Sequence, residues 1–129
     1  LFIQLPSGRK IAYWDAKVEV LEDGKEHITY AGVDQETKRW GRQETYGGKL
    51  VENVVQAIAR DCLAEAIVKV SEAGYQIVCH VHDEMIVDVP DSDTEAFNTI
   101  NKIMGEPAEW ATGLPLRGDG YMTKHYKKD

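Results

Sequence analysis

The chain has 129 residues and a formal net charge of −7, with 43% hydrophobic and 29% charged residues. That length and balance fit one soluble globular domain, residues 1–129, with a real core. They exclude a membrane-spanning run of about 20 apolar residues and argue against an isolated, strongly basic nucleic-acid binder. No basic segment precedes an apolar one near the start, so no secretory leader is read. Cys62 and Cys79 fall in apolar stretches and read as buried free thiols, which places the protein in a reducing compartment, the cytoplasm. The opening residue is Leu and runs straight into strand-like sequence, as expected for a piece of a longer protein.

Residues 1–5 and 10–15 read as strands around the turn signal Pro6-Ser7-Gly8-Arg9. Residues 17–21 alternate again, with Val18 and Val20 on one side and Lys17 and Glu19 on the other. Glu22-Asp23-Gly24-Lys25 is a second turn, and 27–32 is a short strand. Residues 33–43 are polar and read as a loop, with Lys38, Arg39 and Arg42 around Trp40. Basic residues beside an aromatic can contact a nucleic-acid backbone, although such clusters are more often solvated loops.

The longest periodic segment is 49–73. Val51, Val55, Ile58, Cys62, Ala66 and Val70 repeat at helical spacing and predict a broad buried stripe. Gly74 stands where a helix C-cap belongs. On the polar side Lys49, Asn53, Gln56 and Arg60 follow one face, and every one of them can donate a hydrogen bond. That row suits a phosphate backbone or a groove; the plainer reading is a solvated face.

Gln76 to Pro90, QIVCHVHDEMIVDVP, is the stretch the chain is organised around. Two β-branched arms, 77–81 and 85–89, flank His82, Asp83 and Glu84. One straight strand would bury those charges unpaired, so the pattern predicts a hairpin with the three at its tip. Titratable groups at the rigid end of two strands suit a metal ion or proton transfer, and a bland polar turn remains the alternative. Residues 94–104 read as an amphipathic helix capped by Asp91 or Ser92, with Phe97, Ile100, Ile103 and Met104 on its buried side. A helical turn near 106–111 follows, then a strand at 114–116 and a basic tail from Lys124. The predicted fold class is α+β: an antiparallel sheet with the long and the shorter helix on one face.

YGGKLVENVVQAIARDCLAEAI, followed after a short spacer by VCHVHDEMIVDVP, resembles the C-terminal palm of family A DNA polymerases, the DNA polymerase I family, in its phage and prophage branch. LPSGR and PLRGDGYMTKHYKKD resemble the flanking regions, so nearly the whole chain takes part. The resemblance implies a palm-like fold and nucleotidyl transfer in DNA replication with two Mg²⁺ ions. It makes VHDE the family's motif C. Asp83 then becomes a metal-binding aspartate, Glu84 an auxiliary carboxylate at the metals, and His82 a contact to the primer terminus. The Gln56 helix would face the template–primer minor groove, with Asn53, Lys49 and Arg60 beside it. Implied partners are primer–template DNA, deoxynucleoside triphosphates, and the remaining polymerase segments in cis or in trans.

The family's upstream metal aspartate and its nucleotide-binding fingers helix have no counterpart here, so the two-ion site is incomplete in this chain. Alone it is expected to be inactive, and missing neighbours would leave an apolar patch that a second copy could cover. Two other readings stand beside this one. The chain can be a palm-like module that binds DNA or a partner without chemistry. It can also be a metal-dependent hydrolase using His80, His82, Asp83 and Glu84, although a further ligand has no obvious local source.

Overall fold

In the computed structural model, which describes residues 1–126, the chain divides into two compact units, Leu1–Ile58 and Ala59–Asp129. The basic tail predicted from the sequence lies partly outside the described residues, at 127–129. All ladders are antiparallel, and helix and strand are both present, as the α+β reading requires. Among the described residues the strands form three separate sheets, of two, three and two strands, where the sequence reading had a single sheet.

In the first unit, β1 (Phe2–Gln4) and β2 (Lys10–Ala12) make a hairpin. Leu5 closes its turn, its N–H donating to Arg9 O and its carbonyl accepting from Gly8 N–H, and its side chain is buried. β3 (Trp14–Val20), β4 (Glu26–Val33) and β5 (Trp40–Thr45) form the three-stranded sheet with β4 central. The predicted break near residue 16 is instead a bulge between Trp14 and Lys17, where Asp15 sits at φ +46°. Asp tolerates this left-handed backbone better than most residues. Arg42 holds it in place, Nη1 donating to the Asp15 carbonyl at 2.8 Å and to its carboxylate at 3.0 Å.

Residues 33–43 are not one loop. The loop is confined to 34–39, where Asp34 Oδ1 accepts the N–H groups of Glu36 and Thr37 and the Thr37 hydroxyl. The next six residues pair with β4. Their alternation turns Gly41, Gln43 and Thr45 to the more covered side. None of these is a large apolar residue, so hydrophobic periodicity cannot find the strand.

The polar groups of this sheet are joined across strands. The buried Thr29 hydroxyl donates to Glu19 and accepts from Arg42, which also reaches Glu19 at 3.2 Å. His27 faces Asp23 through Nε2 and Glu44 through Nδ1. Only an imidazolium can donate from both nitrogens. Accordingly the Asp23 carboxylate, and after it Glu44, raises the His27 pKa above the ordinary imidazole value. The Lys25 N–H and then the His27 ring hold the Asp23 carboxyl below its usual range.

Helix α1 (Gly47–Glu72) runs 26 residues, close to the predicted 49–73. It ends at Gly74, φ +92°, with Gly74 N–H bonded to Ser71 O and Tyr75 N–H to Val70 O. This left-handed termination is the one that glycine permits most easily. The predicted buried stripe is realised only in the C-terminal half. Leu63, Ala66 and Val70 are buried, while Val51 and Val55 are 62% and 57% exposed. Helical spacing says which side chains share a face, but burial also needs an element to cover that face.

In the second unit, β6 (Gln76–Val81) and β7 (Glu84–Asp88) pair as the central hairpin. Trp110 Nε1 donates to Glu65 of α1 at 2.9 Å. Helix α2 (Ala96–Gly105) starts two residues later than predicted. Neither Asp91 nor Ser92 caps it. The N-cap position is Glu95, with no side-chain cap, and Asp93 Oδ1 accepts the N–H groups of Glu95 and Ala96 in the turn that leads into the helix. A short 3-10 turn follows at Glu109–Ala111. The strand expected at 114–116 is absent, because its backbone bonds locally: Leu114 N–H to Ala111 O and Leu116 N–H to Leu114 O. Gly118 lies so close to α2 that a Cβ there would come 2.6 Å from Asn101 O. Of the two free thiols, Cys62 is half-buried, and burial pushes its pKa up, but Cys79 is exposed, contrary to expectation. No helix among the described residues is long and apolar enough to cross a membrane.

Candidate functional site

The hairpin tip is tighter than the sequence suggested. Val81 and Glu84 face each other in the ladder, so the loop is only His82 and Asp83. Glu84 therefore belongs to the first rung of β7 and not to the loop. His82 has φ +52°. Two-residue hairpin loops reserve such positions for Gly or Asn, and a His there costs on the order of 1 kcal/mol. The arms hold it: Ile77, Val81, Met85, Ile86 and Val87 are all half-buried. Strain of this kind is an observation that directs attention to function. His82, Asp83 and Glu84 are exposed, and none of their side chains makes a hydrogen bond or ion pair with the described residues.

Two adjacent exposed carboxylates can share a divalent cation. Among the described residues no group of three or more His, Cys, Asp and Glu side chains could hold a metal ion. His80, His82, Asp83 and Glu84 are thus not gathered into one ligand set, the arrangement that the hydrolase reading calls for. Mg²⁺ is less demanding, since it is usually bound by one or two carboxylates plus phosphates and waters. Asp83 and Glu84 carry the carboxylate donors that such binding uses.

The predicted polar row on α1 divides by role. Gln56 and Lys49 are exposed, and the Lys49 charge contributes, after the Thr37 N–H, to holding the Asp34 carboxyl below its usual range. Asn53 is engaged: its amide donates to the Tyr13 hydroxyl at 2.9 Å, and Tyr13 packs edge-on against Tyr30 with ring centroids 5.1 Å apart. These three belong to the first unit. Arg60 belongs to the second, where it meets His80, with Nη2 and Nη1 at 3.3 and 3.5 Å from Nε2 and Nδ1. Nothing in the spacing of Arg60 and His80 joins those two residues, because the register shift in β6 leaves no mark on the sequence. Of the suspected nucleic-acid cluster around Trp40, Arg42 is committed to the sheet.

Comparison with known proteins finds a match of the same extent as the chain. Over 130 aligned residues, covering 100% of the chain, it is 55% identical to a protein of Bacillus phage SP02 named as a DNA polymerase. The matched region is 20% of that polymerase, so the chain spans about a fifth of the relative's length. No family model matches the chain, and no solved structure does.

Proposed function

We propose that this chain is the part of a DNA polymerase that carries the motif C hairpin of a family A palm, and that it acts with the remaining segments in template-dependent nucleotidyl transfer. The observation that carries the reading is the 55% identity to the phage polymerase from one end of the chain to the other. The exposed tip supports it, since nothing in the hairpin itself requires free charge there. In this reading Asp83 holds the cation through its carboxylate, and Glu84 lies beside it as the auxiliary acid. When bound, Mg²⁺ offsets charge on the phosphoryl oxygens and lowers the pKa of the attacking hydroxyl. His82 touches the primer terminus. Lys49, Gln56 and Arg60 line the duplex, and Asn53 serves chiefly to fix α1 against Tyr13. The second aspartate and the deoxynucleoside triphosphate contacts come from segments outside this chain.

A second reading, a palm-like module that binds DNA or a partner without chemistry, is favoured by the lack of a complete ligand cluster among the described residues. One experiment separates the two. The chain is combined with the remainder of the SP02 polymerase, and primer extension is measured with Mg²⁺. Extension that requires both parts, with none from the purified chain alone, is expected. Extension by the remainder alone, unchanged when the chain is added, would overturn the catalytic reading.

A further inference from the structure

We propose that Arg60 and His80 together form a contact for one backbone phosphodiester of a nucleic acid, which makes His80 a binding residue beyond those of the hairpin tip. The identity of the phosphate rests on the polymerase reading above; the contact itself rests on the geometry of the second unit. The two guanidinium nitrogens lie 3.3 and 3.5 Å from the two ring nitrogens. Both side chains are exposed, and neither is ion-paired to a carboxylate among the described residues. Such a pair is rich in donors and has no anionic acceptor. A phosphate oxygen supplies one, and the planar guanidinium is the side chain best shaped to receive it.

The bulge in β6 is the second observation. Pairing shifts between Ile77 and Cys79, and Val78 is left without a partner. In an unbroken strand Ile77, Cys79 and Val81 would share a face, with His80 on the other. With the bulge, Ile77 opposite Val87 and His80 opposite Met85 fall on one face. On that face Ile77, Met85 and Val87 are half-buried and His80 is exposed. The extra residue sets which face His80 occupies, and Arg60 of α1 meets it. Bulges recur beside functional sites for this kind of re-aiming. His80 also stands two residues before His82, roughly 7 Å along the strand, so the pair adjoins the tip.

The test measures binding of the chain to a labelled primer–template duplex across a KCl series, for the wild type, Arg60→Gln, His80→Gln and the double variant. Circular dichroism melts confirm that each is folded. In parallel, the histidine-ring NMR signals of the wild type and Arg60→Gln are followed while inorganic phosphate, and separately a deoxynucleoside triphosphate, is added. We expect each single variant to bind several-fold more weakly and the double to lose little more. The slope of log affinity against log salt should fall by about one phosphate contact. Phosphate should move the His80 signal in the wild type and not in Arg60→Gln. If the chain binds duplex but the variants keep its affinity and slope, the contact is overturned and the polymerase reading stands. If no duplex binds while phosphate or the triphosphate still moves His80, the anion contact stands and its assignment to a phosphodiester falls with the polymerase reading. No response to any probe overturns the contact itself.

Discussion

The three-stranded sheet and the central hairpin carry the same kinds of side chain and use them in opposite ways. In the sheet, Asp15, Glu19 and Thr29 converge on Arg42, and Asp23 and Glu44 converge on His27. Each of these named charges has a partner on another strand or across a turn. At the hairpin tip, His82, Asp83 and Glu84 stand exposed with no partner among the described residues. Composition cannot tell these two situations apart, because both read as clusters of His, Asp and Glu among strands. The difference lies in register. A paired cluster is consumed in holding the fold, while an unpaired one held in a strained, rigid turn is available to a ligand.

The sharpest way to break this comparison is Asp83→Asn. In the polymerase reassembled from the chain and the remaining SP02 segments, primer extension should fall on the order of a thousandfold or more, a loss of about 4 kcal/mol of transition-state stabilisation. The melting temperature should not move, because the carboxylate bonds to nothing in the described fold. Near-parental extension would remove Asp83 from the metal site. Glu84→Gln should lower the rate less. The sheet should respond the other way. Thr29→Val removes the buried hydroxyl that links Glu19 and Arg42 and should destabilise the chain by about 1 kcal/mol in urea melts, with extension per folded molecule unchanged. A loss of extension at unchanged stability would show that this network does more than hold the sheet.

How much of this was legible beforehand follows the same division. Helix α1 and both arms of the hairpin were readable because their apolar residues recur at the right period, and Gly74 marks the helix end. β5 was not, since it turns Gly41, Gln43 and Thr45 inward and is held by pairing with β4. The Asp15 and Val78 bulges were invisible because one inserted residue leaves no mark on composition. The candidate tip residues were legible as residue types. Their isolation, the confinement of the loop to His82 and Asp83, and the meeting of Arg60 with His80 required the register. The exposure of Val51 and Val55 was also beyond the pattern, which cannot state what covers a face.

A smaller effect comes from pH. His27 has its folded pKa raised, by Asp23 first and then by Glu44. A group with a raised folded pKa contributes stability that is fully present below its unfolded value, about 6.5, and is lost as pH rises through the folded value. Wild-type stability relative to His27→Gln should therefore be greatest in mildly acidic buffer and should shrink as pH rises above about 6.5. Asp23 works in the opposite sense. Its depressed pKa contributes stability present above about pH 4 and lost as pH falls. Melts of the two proteins across this range check both limbs. A difference that is flat from pH 5 to pH 9 would show that the His27 bridges do not form in solution.

The smallest stability effect is expected at the residue that most directly joins the two halves of the comparison, His82. Its φ of +52° is unfavourable for a side chain with a Cβ and acceptable for glycine. His82→Gly should relieve roughly 1 kcal/mol of backbone strain. Against that, glycine makes the unfolded chain more flexible, an opposing term of about 0.4–1 kcal/mol. The two nearly cancel, so the urea midpoint should stay within experimental error of the wild type or rise slightly. Extension by the reassembled polymerase should nonetheless weaken, with the loss concentrated in affinity for the primer terminus, which the imidazole is proposed to touch. His82→Asn separates the causes: it keeps a polar group and tolerates the left-handed backbone, so it should melt like the glycine variant and recover part of the primer affinity. If both variants extend primers normally, the strained residue is only a turn, and the distinction between paired and free charge fails at the position where it should be clearest.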